Sequence, residues 1–203
     1  MSRIRSTLAW LALLLAIAVP IAAAATSTLL EWRDPIYIAG GFAGIVAMAL
    51  MLLQPLLAGG YLPGLSTFGG RRIHRWTGSF LVIAVAVHVL ALWITSPPDV
   101  IDALLFVSPT PFAAWGVIAM WAAFAAALLA LFRHRMRAHL RLWRRGHTAL
   151  VVVTVLGSVV HAMLIEGTME KLSKTLLCAF VIATTLKTVA DLRAWAGRSN
   201  RGA

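Results

Sequence analysis

Four histidines stand at one repeated spacing. His74 and His88 lie fourteen residues apart in RRIHRWTGSFLVIAVAVHVLALW, and His147 and His161 lie fourteen apart in RRGHTALVVVTVLGSVVH. Fourteen helical residues rise about 21 Å and return to within about 40° of the starting face. Each helix therefore carries two imidazoles on one stripe, near opposite edges of a hydrocarbon layer about 30 Å thick. Two such helices side by side form two His–His pairs, His74 with His147 and His88 with His161. Imidazole is a good haem-iron ligand, and two of them leave the iron six-coordinate, suited to electron transfer. The expected cofactors are two stacked bis-histidine haems.

A lone buried histidine is often a hydrogen-bonded core residue, but four at matched spacing are harder to explain that way. Proton relays usually pair histidine with Asp or Glu, and no acid lies between the paired histidines of either segment. Gly78 is one turn inward from His74, and Gly157 one turn inward from His161. Either could let a flat macrocycle approach the backbone, although small residues also serve helix packing. Arg71, Arg72, Arg75 and Arg145 crowd the His74–His147 level. They suit haem propionates, an acidic partner or anionic lipid. His134 and His139 read as solvated loop residues. Glu166, Glu170 and Lys171 lie near the His88–His161 level as candidate substrate or partner contacts.

These side chains need elements that hold them in an apolar medium. Of 203 residues, 61% are hydrophobic and 12% charged, and the mean hydropathy is +0.87. A soluble domain is about half apolar and a quarter charged, so this is a membrane protein. The single Cys178 excludes an internal disulfide, Cys-ligated zinc and a Cys-ligated iron–sulfur cluster. Six apolar segments are readable, at about 8–26, 36–58, 74–95, 112–132, 147–166 and 172–190, each near the roughly 20 residues a span needs. The expected fold is an all-α six-helix membrane bundle, a single domain over 1–203, with haems between the third and fifth helices. The first segment also fits a secretory signal, but its length favours a retained helix. Pro20 is a candidate kink.

Charge sets the orientation. Of the 18 Lys and Arg, only Arg33, Lys171 and Lys174 fall at one face, together with six of the seven acids. The positive-inside rule then puts both termini in the cytoplasm of a bacterial-type inner membrane, multi-pass. The net charge of +11 follows from topology and does not call for nucleic acid. Glycine and proline mark 59–70 as a turn, and Val100 to Val107 as a short surface helix between prolines. Trp32, Trp76, Trp93, Trp143 and Trp195 read as interfacial anchors.

The stretches HRWTGSFLVIAVAVH and HTALVVVTVLGSVVH resemble the ligand helices of the ferric reductase-like transmembrane domain. That superfamily includes ferric reductases, NADPH oxidases and the haem subunit of the periplasmic methionine sulfoxide reductase system. The resemblance covers nearly the whole chain. It implies two haem b groups, an inner one on His74 and His147 and an outer one on His88 and His161, with electrons passing from the cytoplasmic side to an outer acceptor. Many relatives continue into a flavin- and nicotinamide-binding region. Here no G-x-G-x-x-G follows a strand and no room exists for a βαβ unit. A separate flavoprotein, a flavin or membrane quinol is therefore the expected donor. The sequence does not name the acceptor; the candidates at the outer face are a ferric chelate, oxygen and a redox protein. The alternatives are a quinol-fed haem subunit of a periplasmic reductase system, and a non-enzymatic transporter or assembly protein.

Overall fold

Three of the long helices begin where a side chain accepts from free N–H donors of the first turn. In the computed structural model, which describes the backbone of residues 3–199 and the side chains of 3–192, six long helices and one short one follow in order. Helix α1 spans Arg3–Ala25, α2 Pro35–Ala58, α3 Thr67–Thr95, α4 Pro97–Leu104, α5 Pro111–Leu131, α6 Leu140–Leu164 and α7 Lys171–Ser199. The Asp34 carboxylate accepts from Ile36 N (2.7 Å) and Tyr37 N (3.3 Å) to start α2, with Pro35 at its first position. Ser66 Oγ accepts from Gly69 N to start α3. Prolines open α4 and α5. Helix α1 is unbroken at Pro20. Trp195 and the basic residues after Leu192 lie outside the described side chains.

Five stretches are long and apolar enough to cross a membrane: Arg3–Ala25, Pro35–Ala58, Thr67–Thr95, Pro111–Leu164 and Lys171–Leu192. The fourth runs for 54 residues because it holds two helices, α5 and α6. They fold back on each other through 3-10 turns at Phe132–His139, where Met136 leaves helical geometry.

Several expected boundaries move for one reason. Apolar runs mark what lies in hydrocarbon, and helices continue past it. Helix α3 starts at Thr67 rather than 74, so only the first part of the 59–70 stretch is a turn. Helix α6 starts at Leu140 rather than 147. The surface helix is α4, Pro97–Leu104, rather than 100–107, because its prolines form the first turn instead of bracketing it.

The helices pair as two antiparallel hairpins, α2 with α3 and α5 with α6. The histidine-bearing helices α3 and α6 do not pack along each other; each lies against its own partner. Contacts of α3 with α5, and of α4 with both, join the hairpins at one end, while α7 packs on α2 and α6. Helix α1 leans on α7 and α2. The main core is Leu52, Met51, Leu81, Val155, Leu177 and Val181, where α7 seals the two hairpins from one side. The hairpins stay apart at the centre, and that gap is the site.

Candidate functional site

His88 on α3 and His161 on α6 face each other across the gap, with ring centroids 6.4 Å apart and planes at 81°. Each ring is held from behind. His88 Nδ1 lies 2.7 Å from the Gly40 carbonyl on α2, and His161 Nδ1 lies 2.8 Å from the Phe112 carbonyl on α5. A carbonyl only accepts, so each Nδ1 carries the proton and donates it. Each Nε2 is then a free lone pair. The Phe112 ring adds an edge contact to His161.

Glycines make room for both rings. A Cβ on Gly44 would lie 3.1 Å from His88 Nδ1, and a Cβ on Gly116 would lie 2.7 Å from His161 Nδ1. Sequence reasoning missed both, because they sit on helices that carry none of the four histidines. The signal was present as a second repeat. Gly40 and Gln54 on α2 are fourteen residues apart, as are Phe112 and Ala126 on α5, and Gly44 and Gly116 each follow four residues into their set. The two hairpins therefore repeat as units, not only through their histidines.

The other pair is less symmetrical. His74 Nδ1 lies 3.2 Å from the Gln54 carbonyl, and the Gln54 side-chain amide bonds Thr77 Oγ1 at 2.8 Å beside it. The Ala126 carbonyl lies near the His147 ring, but His147 Nδ1 is buried and makes no hydrogen bond. Its ring is instead stacked on Trp143 at 5.4 Å and 7°. Trp143 is pinned by its Nε1 donating to Leu129 O at 2.8 Å, and Arg133 covers its other side at 5.1 Å. His74 and His147 are within electrostatic reach of each other, without the ring contact made by the other pair.

Gly78 faces the Gln54 side chain, 3.4 Å from a Cβ built there. Gly157 does not open onto the gap: a Cβ there would meet Ala119 Cβ and the Trp115 carbonyl at 3.0 Å. It lets α5 and α6 approach, which is the packing role such residues serve. Arg71, Arg72, Arg75 and Arg145 are exposed at the His74–His147 end. Arg71 Nε donates to Thr67 O, and Arg75 acts electrostatically on His74. His134 and His139 are exposed. Glu166 and Lys171 face each other at 4.0 Å on the surface, and Glu170 caps α7. Phe80 and Trp121, which lie between the two histidine levels along their helices, are 57% and 56% exposed. Leu81 and Thr154, at the midpoints of the two histidine intervals, are buried.

A cavity of about 430 Å³ lies over the His88–His161 pair, within the roughly 300–1,000 Å³ of small-molecule and cofactor sites. It is walled mainly by α2, α3, α5 and α6, with α4 and the 165–169 turn at its rim. Among the described residues no three His, Cys, Asp or Glu side chains gather as a metal site. The site therefore offers paired imidazoles, and their centroid separation of 6.4 Å is close to that of two imidazoles that share one ion. An ion held by one nitrogen of each ring at about 2.0–2.1 Å, with about 1.1 Å more to each ring centre, puts the centroids about 6 Å apart.

The profile of the family described as "Ferric reductase like transmembrane component" matches residues 43–158, more than half of the chain. The chain belongs to the ferric reductase-like transmembrane family. The matched stretch takes in His74, His88 and His147, and it ends at Ser158, one helical turn before His161. Family membership points to transmembrane electron transfer and, in general, to haem. No curated protein and no solved structure matched the chain.

Proposed function

We propose that this chain is a di-haem b-type cytochrome domain that moves electrons across a bacterial-type inner membrane. The observation that carries the reading is the His88–His161 pair: two imidazoles with free Nε2 atoms, set about one ion apart beside a cavity of cofactor size. His88 and His161 hold the outer haem, and His74 and His147 the inner one. Bound haem supplies a one-electron iron couple, and two imidazole ligands leave no open position for bond-making chemistry.

The chain's own residues then have defined tasks. Gly40 and Phe112 carbonyls fix the tautomers of the outer ligands, which orients each ring and raises its basicity. The Gln54 carbonyl does the same for His74, whereas Trp143 orients the His147 ring by stacking. Leu81, Met48, Met51 and Met120 keep the interior between the levels apolar. Arg71, Arg72, Arg75 and Arg145 offer forked donors for inner-haem propionates.

The six long helices are the six spans, with both termini cytoplasmic, because the arginine-rich end is the inner one. The donor is a cytoplasmic flavoprotein, flavin or quinol; the acceptor at the outer face is a ferric chelate, oxygen or a redox protein. A dithionite-reduced minus oxidised spectrum of purified protein, with haem quantified per chain, tests the reading. Two b-type haems per chain are expected. Well-folded protein with no Soret band overturns it and leaves a transporter or assembly role. Haem reduction by quinol but not by reduced flavin would single out a quinol-linked subunit.

A further inference from the structure

Lys174 lines the outer cavity and is only 6% exposed. Its Nζ donates to the Ile165 carbonyl at 2.7 Å, which leaves two of three N–H groups free. Among the described residues no carboxylate lies within 4.0 Å of it. Asp99 lines the same cavity but is bonded to the Ser96 hydroxyl. Lysine is almost never buried without a partner, because a charge taken out of water is costly unless it is paired. Every other basic side chain with a described position near the outer face, Arg33 and Lys171, is exposed. Lys174 is thus a single buried cation, held by a backbone carbonyl, on the wall of a cavity floored by His88 and His161.

We propose that Lys174 Nζ pairs with a carboxylate held in the outer cavity. The carboxylate comes either from a propionate of the outer haem or from an anionic acceptor that enters the cavity. The first source rests on the di-haem reading above. In both cases the Ile165 carbonyl sets the ammonium in place, and the apolar cavity wall strengthens the ion pair relative to water.

The test uses full-length holoprotein carrying Lys174→Gln, which keeps a donor for Ile165 O but loses the charge, and Lys174→Arg, which restores charge. Haem per chain is measured first: fewer than two haems in the wild type fails the di-haem reading, independently of Lys174. With two haems present, an equilibrium redox titration without acceptor is the first arm. A cation near the iron favours the reduced state, so K174Q lowers the outer-haem potential, leaves the inner one in place, and K174R recovers it. That result assigns the propionate. The second arm is reoxidation by ferric citrate and by a neutral ferric chelate. An unshifted potential with a raised KM for ferric citrate alone, at unchanged kcat, assigns an acceptor carboxylate.

Potentials and KM values that match the wild type in K174Q overturn the proposal. If K174Q does not fold, wild-type protein is reconstituted with haem dimethyl ester, which has no carboxylate. Outer-site retention equal to that of haem, with no preference for ferric citrate over the neutral chelate, likewise overturns it.

Discussion

His88 and His161 stand 6.4 Å apart with their planes at 81°, and each donates from Nδ1 to a carbonyl on the other helix of its own hairpin. Neither ring is placed by its own helix alone. Helices α2 and α5 supply the acceptor and, one turn further on, a glycine that clears space for the ring. The site is therefore a property of two hairpins, and this division of labour sets what each substitution should do.

Removing one imidazole should remove one cofactor. His88→Ala or His161→Ala is expected to lower bound haem from two per chain to one, with the remaining spectrum that of the inner haem. His74→Ala or His147→Ala should spare the outer one. Haem stoichiometry and redox titration of each purified variant check this, and an undiminished two-haem spectrum in either outer variant would rule out that residue as a ligand.

The two glycines should differ. A Cβ at Gly116 would lie 2.7 Å from His161 Nδ1, too close without displacement, whereas at Gly44 the distance to His88 Nδ1 is 3.1 Å, which a small adjustment relieves. Partners that orient a ligand are typically worth about 10–100-fold in affinity. Gly116→Ala should weaken outer-haem binding within that range, and Gly44→Ala clearly less. Haem titration of apoprotein measures both; equal losses would mean that the rings do not sit as found.

The pairing of histidine levels and the all-helical membrane character were legible because both rest on strong local signals: an apolar run of span length and a repeated fourteen-residue interval. The hairpin partners were not. Gly40, Phe112 and Gly116 act through backbone carbonyls and a missing side chain, which leave no mark of charge or polarity in a sequence. Gly157 shows the converse problem. Its spacing from His161 fits a macrocycle as well as it fits a helix contact, and only the position of Ala119 on α5 decides for packing. Phe80 and Trp121 sit at the right height between the histidine levels, but height along a helix does not fix the direction in which a side chain points. Lys174 was visible only as one of three cations at the acidic end; its burial depends on how α7 meets the 165–169 turn.

The start of α7, which carries Lys174, should loosen in acid. Glu170 Oε1 accepts from Ser173 N at 2.6 Å and Oε2 from Leu172 N at 2.7 Å. The Ser173 amide first, and the Leu172 amide with it, hold the carboxyl below its ordinary value of 4.5. A carboxyl depressed by folding contributes stability that is full above its unfolded value and is lost as pH falls through the folded one. Amide-exchange protection at 172 and 173 should therefore drop on acidification from about pH 7 to about pH 3 in wild type, and be low throughout in Glu170→Gln. Protection that is the same in both proteins at neutral pH would remove the cap from the account.

Gln54 should control the inner ligand through its tautomer. One end of the amide lies 2.9 Å from His74 Nδ1 and the other 2.8 Å from Thr77 Oγ1. With the amide oxygen toward the ring, Nδ1–H donates and Nε2 is free to ligate; with the nitrogen toward it, Nδ1 accepts and Nε2 holds the proton. The Gln54 backbone carbonyl at 3.2 Å favours the ligating form, and a bound iron would fix it. Gln54→Leu removes the side-chain acceptor and should weaken inner-haem binding by about 10–100-fold, leaving the outer haem in place. Gln54→Glu offers a carboxylate that only accepts, which makes His74 a more basic ligand and should lower the inner-haem potential. Redox titration resolves the two haems in each variant. An unchanged inner potential in Q54E, together with full inner-haem occupancy in Q54L, would leave Trp143 and the carbonyls as the only groups that position the inner pair.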